Sequence, residues 1–171
     1  MILQAIAHGD IKPHNVLIFK DGEATADGGS RGGYTAKVTD FGYSVMFRHP
    51  DSLIRMPKTP FWVAPEWRRR YSTDFAGAKK MDAYSFGLLC LWLLLYAGKC
   101  DIDKFYEELS VEEELSLEED KSTIARRKVD EAIGIEEEVK ERLRLFFENT
   151  LVKKDREGDF GVLLRILAQH R

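Results

Sequence analysis

The run Phe86-Gly-Leu-Leu-Cys-Leu-Trp-Leu-Leu-Leu-Tyr-Ala97, bounded by Asp82 before it and Lys99 after it, restricts the fold more than any other feature of the chain. It is too short to cross a bilayer, which takes about 20 apolar residues. Its apolar positions also go all the way round a helix instead of forming one stripe, so other elements must enclose it. The sequence therefore predicts a buried central helix, with Gly98 placed to end it in a left-handed cap. Surrounding helices are legible nearby. Residues 136–152 put Val139, Leu143, Phe146, Phe147 and Leu151 on one face, and residues 159–167 read as a short amphipathic helix. Helical pattern begins at Lys79, and Ser110-Val-Glu-Glu and Ser116-Leu-Glu-Glu have the form of capping boxes. With 171 residues, 44% of them hydrophobic, the chain can bury a single core.

The first third reads differently. Val16-Leu-Ile-Phe and Thr35-Ala-Lys-Val-Thr have strand character and are predicted to pair as a hairpin. Between them, residues 22–33 are Gly-rich but lack both G-x-G-x-x-G spacing and a G-K-[ST] ending, so a flexible loop is expected rather than a phosphate cradle. Residues 43–66 contain Pro50, Pro57, Pro60 and Pro65 and no sustained period, which predicts a long irregular segment. Ordered loops of that length are usually functional.

Composition removes several classes of function. Lys and Arg number 26 against 29 Asp and Glu, a net charge of −3, so no basic face recommends nucleic acid. Cys90 and Cys100 have neither disulfide-framework nor metal-ligand spacing, which fits a reducing, intracellular and cytoplasmic setting. The opening residues lack a basic n-region and the chain lacks a spanning segment, so neither secretion nor a membrane is expected. The Glu-rich stretch 107–120 lacks the alternating Asp/Asn and central Gly of a calcium loop, and reads as a solvated helical face.

Chemistry concentrates in four short motifs. His8-Gly9-Asp10-Ile11-Lys12-Pro13-His14-Asn15 sets an Asp, a Lys and an Asn just ahead of a strand. Asp40-Phe41-Gly42 follows the second strand, Lys58-Thr59-Pro60-Phe61-Trp62-Val63-Ala64-Pro65-Glu66 closes the irregular segment, and Asp82-Ala83-Tyr84-Ser85-Phe86-Gly87 opens the central helix. Any one alone is ordinary: a turn Asp, a surface Lys, an Asp before an aromatic and Gly. Their order and spacing resemble the protein kinases of Ser/Thr type, whose motifs are H-R-D-x-K-x-x-N, D-F-G, G-T-P-x-Y-x-A-P-E and D-x-x-S-F-G.

The resemblance implies an α+β, mainly α fold: the large C-terminal kinase lobe, with short strands around the catalytic loop. Residues 1–171 then form a partial kinase domain, with the catalytic loop at 8–15, the activation segment at 40–66 and a helical subdomain at 79–171. The reaction implied is phosphoryl transfer from ATP, with Mg2+, to a Ser/Thr hydroxyl of a protein substrate. Asp10 would accept the hydroxyl proton, Lys12 would contact the transferring phosphate, and Asn15 and Asp40 would bind magnesium. In support, His8 is structural, Thr59 reaches towards Asp10 and Lys12, Trp62 takes the Tyr position, Glu66 pairs with a late arginine for which Arg156 is the candidate, and Asp82 anchors the catalytic-loop backbone.

Departures from the family pattern add further expectations. Gly9 stands where many kinases have Arg, so a phosphate on Ser52 or Thr59 would lack its usual partner; Arg48 and Arg55 are the candidate substitutes but are read as surface residues, and no phospho-switch of that sort is expected. Lys58 replaces a Gly. No G-x-G-x-x-G loop or V-A-I-K lysine occurs, so the N-terminal lobe is read as absent, with very weak nucleotide binding and an inactive or very weakly active chain the result. Two alternatives follow. One is a non-catalytic module whose upper face, left open by that lobe, is covered by another protein. The other is a small-molecule kinase of the aminoglycoside or choline type, which shares H-G-D-x-x-x-x-N; Lys12, the D-F-G, the A-P-E and the D-x-x-S-F-G match all favour the protein-kinase reading over it.

Overall fold

The computed structural model describes residues 5–20, 33–68, 72–95, 102–115, 121–152 and 156–168. The Gly-rich loop up to residue 32, the Gly98 cap and the Ser116 capping box lie outside the described residues. Four short strands come first, β1 (Ala5–Ala7), β2 (Val16–Lys20), β3 (Tyr34–Val38) and β4 (Val45–Phe47), followed by five helices, α1 (Phe75–Leu95), α2 (Ile102–Leu115), α3 (Lys121–Glu131), α4 (Glu137–Thr150) and α5 (Phe160–Ala168). The fold is mainly helical.

The predicted hairpin forms as β2–β3, antiparallel with Val16 opposite Val38 and Lys20 opposite Tyr34. A second antiparallel pair, β1–β4, sets Ala5 against Phe47 and Ala7 against Val45. It corrects the expectation that residues 43–66 are irregular throughout, as do an Ile54–Thr73 bridge and a 3-10 turn over Pro65–Arg68. Strands of three residues are too short to display alternation, and their partner lies far away in sequence, so local pattern could not reveal them.

Helix α1 starts at Phe75, earlier than the pattern from Lys79 suggested. Asp74 caps it: its carboxylate accepts the Gly77 N–H at 2.8 Å, and its carbonyl accepts the Ala78 N–H. Ala78, Met81, Tyr84, Leu88 and Leu91 are buried along α1 in one core with Phe105 and Leu109 of α2, Ala125 and Val129 of α3, and Phe146 and Phe147 of α4. Each such Leu or Phe contributes about 1.5–3 kcal/mol. The last turn is the exception to the all-round enclosure, with Leu93 and Leu94 half exposed. Gly87 lets α4 approach closely, since a Cβ there would sit 2.5 Å from Thr150 Oγ1.

Helix α4 buries Leu143, Phe146 and Phe147, with Leu151 buried just past its end, as the periodicity predicts. Helix α3 escaped the sequence reading because only Ile124, Ala125 and Val129 mark its apolar side in an otherwise charged segment. Ser110 lies inside α2 and not at its start; a capping-box pattern carries no information once the preceding residues are already helical. No described helix is long and apolar enough to cross a membrane.

Candidate active site

Strand β1 delivers the chain into the loop 8–15, and a 3-10 turn over Pro13–Asn15 returns it to β2. Pro13 takes the first position of that turn, where its missing N–H costs nothing. The loop backbone is held from below by α1: Asp82 accepts the His8 N–H at 2.7 Å and the Gly9 N–H at 2.9 Å. Burial pushes the Asp82 carboxyl up, and the two N–H donors offset this only in part. Its contribution to stability is therefore present below the ordinary Asp range and lost as pH rises through the raised value.

Gly9 adopts φ +76°, and a Cβ there would meet Pro57 Cγ at 2.8 Å and the Tyr43 carbonyl oxygen at 2.9 Å. The position is closed to any side chain, so the Gly where many kinases carry Arg is a requirement of this backbone and of the Pro57 ring seated on it. Gly9→Ala should destabilise the chain by about 2 kcal/mol, the sum of left-handed strain and this contact, measured by denaturant unfolding. A change under about 0.5 kcal/mol would show that the loop conformation is not fixed in this way.

Asp10 is buried and is the focus of the site. Lys12 Nζ lies 2.8 Å from its Oδ2, Asn15 Nδ2 donates to Oδ2 and to the Asp10 carbonyl at 2.8 Å each, and the Thr59 hydroxyl donates to Oδ1. Burial raises the carboxyl pKa, but the hydrogen bonds from Lys12, Thr59 and Asn15 together outweigh it, and Asp10 is held below the ordinary carboxylate range. The associated stability is present above the unfolded Asp pKa and is lost as pH falls through the lowered one, the reverse of Asp82.

The hairpin brings the second acid to the same place. Val38 pairs with Val16, and the Thr39 N–H donates to the Asn15 carbonyl at 2.9 Å, so Asn15 and Asp40 sit at adjoining strand ends. His8 ties the two together: Nε2–H reaches the Thr39 carbonyl at 3.1 Å, Nδ1 accepts the Asp10 N–H at 3.3 Å, and the ring packs 5.1 Å from that of Phe41. Asp40 is left-handed at φ 63°, exposed, and its Oδ1 accepts the Gly42 N–H at 3.2 Å.

Glu66 is tied to the helical part by Arg156, Nη1 to Oε1 at 2.6 Å, with the guanidinium 4.7 Å over the Tyr84 ring. Trp62 is buried, its carbonyl accepting from Ser85 at 2.7 Å and its Nε1 donating to the Tyr106 hydroxyl at 3.0 Å. Sequence reasoning missed both supports. Ser85 was visible only as a motif letter, and Tyr106 lies on α2 with no local signal. It also missed Phe61, left-handed at φ 71° and stacked edge-on 4.4 Å from Tyr106.

Thus the described residues unite His8, Asp10, Lys12, Asn15, Thr59 and Asp82 in one hydrogen-bonded cluster, with Asp40 at its edge. Glu66 stands apart, in the ion pair with Arg156. A carboxylate and a carboxamide at adjoining strand ends are hard oxygen donors of the kind magnesium accepts when phosphate oxygens and water complete its shell. Among the described residues no group of three or more His, Cys, Asp or Glu forms an all-protein metal cage.

Comparison with known proteins agrees with this architecture. The family model described as the protein kinase domain matches residues 2–157. Among similar curated proteins are the rust resistance kinase Lr10 of Triticum aestivum, 34% identical over 52% of this chain and 12% of its own length, and the probable myosin light chain kinase DDB_G0275057 of Dictyostelium discoideum, 35% identical over 60% and 24%. A third is the leucine-rich repeat receptor-like protein kinase TDR of Arabidopsis thaliana, 27% identical over 82% of this chain and 12% of that protein. The chain thus spans between 12% and 24% of the length of these relatives. No solved structure matches it significantly. On the extent of the family match, this chain belongs to the protein kinase family.

Proposed function

We propose that residues 1–171 act as the large lobe of a Ser/Thr protein kinase, with the catalytic loop at 8–15, the activation segment at 40–66 and a helical part at 79–171. The observation that carries this reading is the Asp10 carboxylate, buried and held at both oxygens by Lys12, Asn15 and Thr59. Such a carboxylate retains a lone pair for one further donor, the hydroxyl of a protein Ser or Thr. Because its pKa is lowered, Asp10 is a weak base, and its main task is to orient the nucleophile; the loose transition state of phosphoryl transfer asks little more. Lys12 turns from Asp10 towards the phosphate as charge develops there. Asn15 and Asp40 are the residues that would hold Mg2+, which when bound neutralises phosphate oxygens of ATP.

Calorimetric titration with ATP tests this. Binding is expected only with magnesium, weak at about 1 mM, and lost in Asp40→Asn. Magnesium-independent behaviour of a folded sample would contradict the assignment of Asp40.

A second reading has its own observation. Leu17, Ile18, Phe19, Tyr34, Val38, Phe41 and Tyr43 are all exposed on and beside the β2–β3 hairpin. An apolar surface of this kind supports a protein-interaction role, alone or beside catalysis.

A further inference from the structure

Among the described residues only Asp40 and Phe61 combine a side chain with left-handed backbone, at φ 63° and φ 71°. Asp40 offsets the cost locally, its carboxylate accepting the Gly42 N–H, whereas a phenyl ring has no such means. A bulky residue keeps that conformation only where its surroundings over-determine it. Around Phe61 they do. Its ring lies 4.4 Å from that of Tyr106 and 5.4 Å from that of Phe105, both on α2, and the Lys121 ammonium at the start of α3 sits 4.7 Å over it.

Phe61 also occupies the middle of a turn that ends on the candidate site. The Thr59 carbonyl accepts the Val63 N–H at 3.1 Å, closing residues 59–63 with Phe61 at the centre. After Phe61 the turn is fixed to α1, where the Ser85 hydroxyl donates to the Trp62 carbonyl. Before it, the Thr59 hydroxyl donates to Asp10 Oδ1. The backbone rotation at Phe61 therefore sets where Thr59 falls relative to α1, and the ring contacts hold that rotation.

We propose that Phe61 is a positioning residue: wedged against α2 and α3, its ring holds the 59–63 turn so that the Thr59 hydroxyl stays on Asp10. Helices α2 and α3 thereby act on that carboxylate without touching it. The consequence for phosphoryl transfer rests on the function proposed above; the positioning itself does not.

The test reads one carboxyl and needs neither ATP nor turnover, so it is separate from whether transfer occurs. Asp10 is titrated by carbon-13 NMR in the 171-residue chain, each variant first shown to be folded by its thermal melt. Thr59→Val should raise the Asp10 pKa, because the Thr59 hydroxyl is one of the donors that lower it. Phe61→Ala should raise it about half as far or more. Phe61→Gly, which permits the left-handed backbone but lacks the ring, should do the same, and Phe61→Tyr should keep the wild-type value. The double variant Thr59→Val/Phe61→Ala should go no further than Thr59→Val alone, and Asp82 should titrate as in the wild type throughout, which separates loss of this contact from general loosening. A wild-type Asp10 titration in Phe61→Ala or Phe61→Gly, no response to Thr59→Val, additive effects in the double variant, or an equal shift at Asp82 would each overturn the proposal.

Discussion

Asp10→Asn should lower the transfer rate of this chain by about 10²–10⁴-fold while leaving the KM for ATP within about threefold, because the role proposed for the carboxylate is to orient the hydroxyl and not to bind the nucleotide. The substitution keeps an oxygen for the Thr59 hydroxyl, so residues 40–66 stay tied to the loop 8–15. It removes the charge that holds Lys12 at 2.8 Å and replaces one acceptor by a donor facing Asn15. Stability should consequently fall by only about 1–2 kcal/mol, and fold loss cannot account for the rate. The comparison that decides it is kcat and KM from radiolabelled transfer beside a denaturant melt of the same sample. Unchanged kcat would remove Asp10 from the mechanism.

Arg156→Met should be the most damaging single change to the fold, at about 3–5 kcal/mol. The Arg156 side chain is 1% exposed, and it serves Glu66, the Val152 and Lys80 carbonyls and the Tyr84 ring at once. Truncation leaves those part-buried acceptors without their donor and opens a void where the guanidinium lay. For a domain of this size the melting temperature should drop by about 10 °C. The double variant Glu66→Gln/Arg156→Met should cost clearly less than the sum of the two single changes, since removing both partners leaves no lone buried charge. Additive losses would show that the pair is not coupled.

What could be read from the sequence follows the range of the interactions. Asp10, Lys12 and Asn15 are neighbours in the chain, so their spacing carried their geometry, and the hairpin that adds Asp40 announced itself by strand composition. Helix α4 was legible because Leu143, Phe146 and Phe147 repeat with helical period, whereas α3 offers three apolar residues among charges. The pairing of β1 with β4, the Tyr106 support of Trp62 and the seating of Pro57 on Gly9 all join segments far apart in sequence. Each depends on packing that no local window contains. The Asp82 clamp and the Arg156–Glu66 pair are just as distant, and they were anticipated only through family resemblance.

The most direct measurement is ATP titration of the folded chain with and without magnesium, beside the Asp40→Asn variant and a transfer assay on a generic Ser/Thr protein substrate. Weak, strictly magnesium-dependent binding with slow transfer, both lost in Asp40→Asn, is the expected result. ATP binding that ignores magnesium and Asp40, or none at all in a folded sample, would contradict the catalytic reading and leave the exposed apolar hairpin face as the better guide to what this chain does.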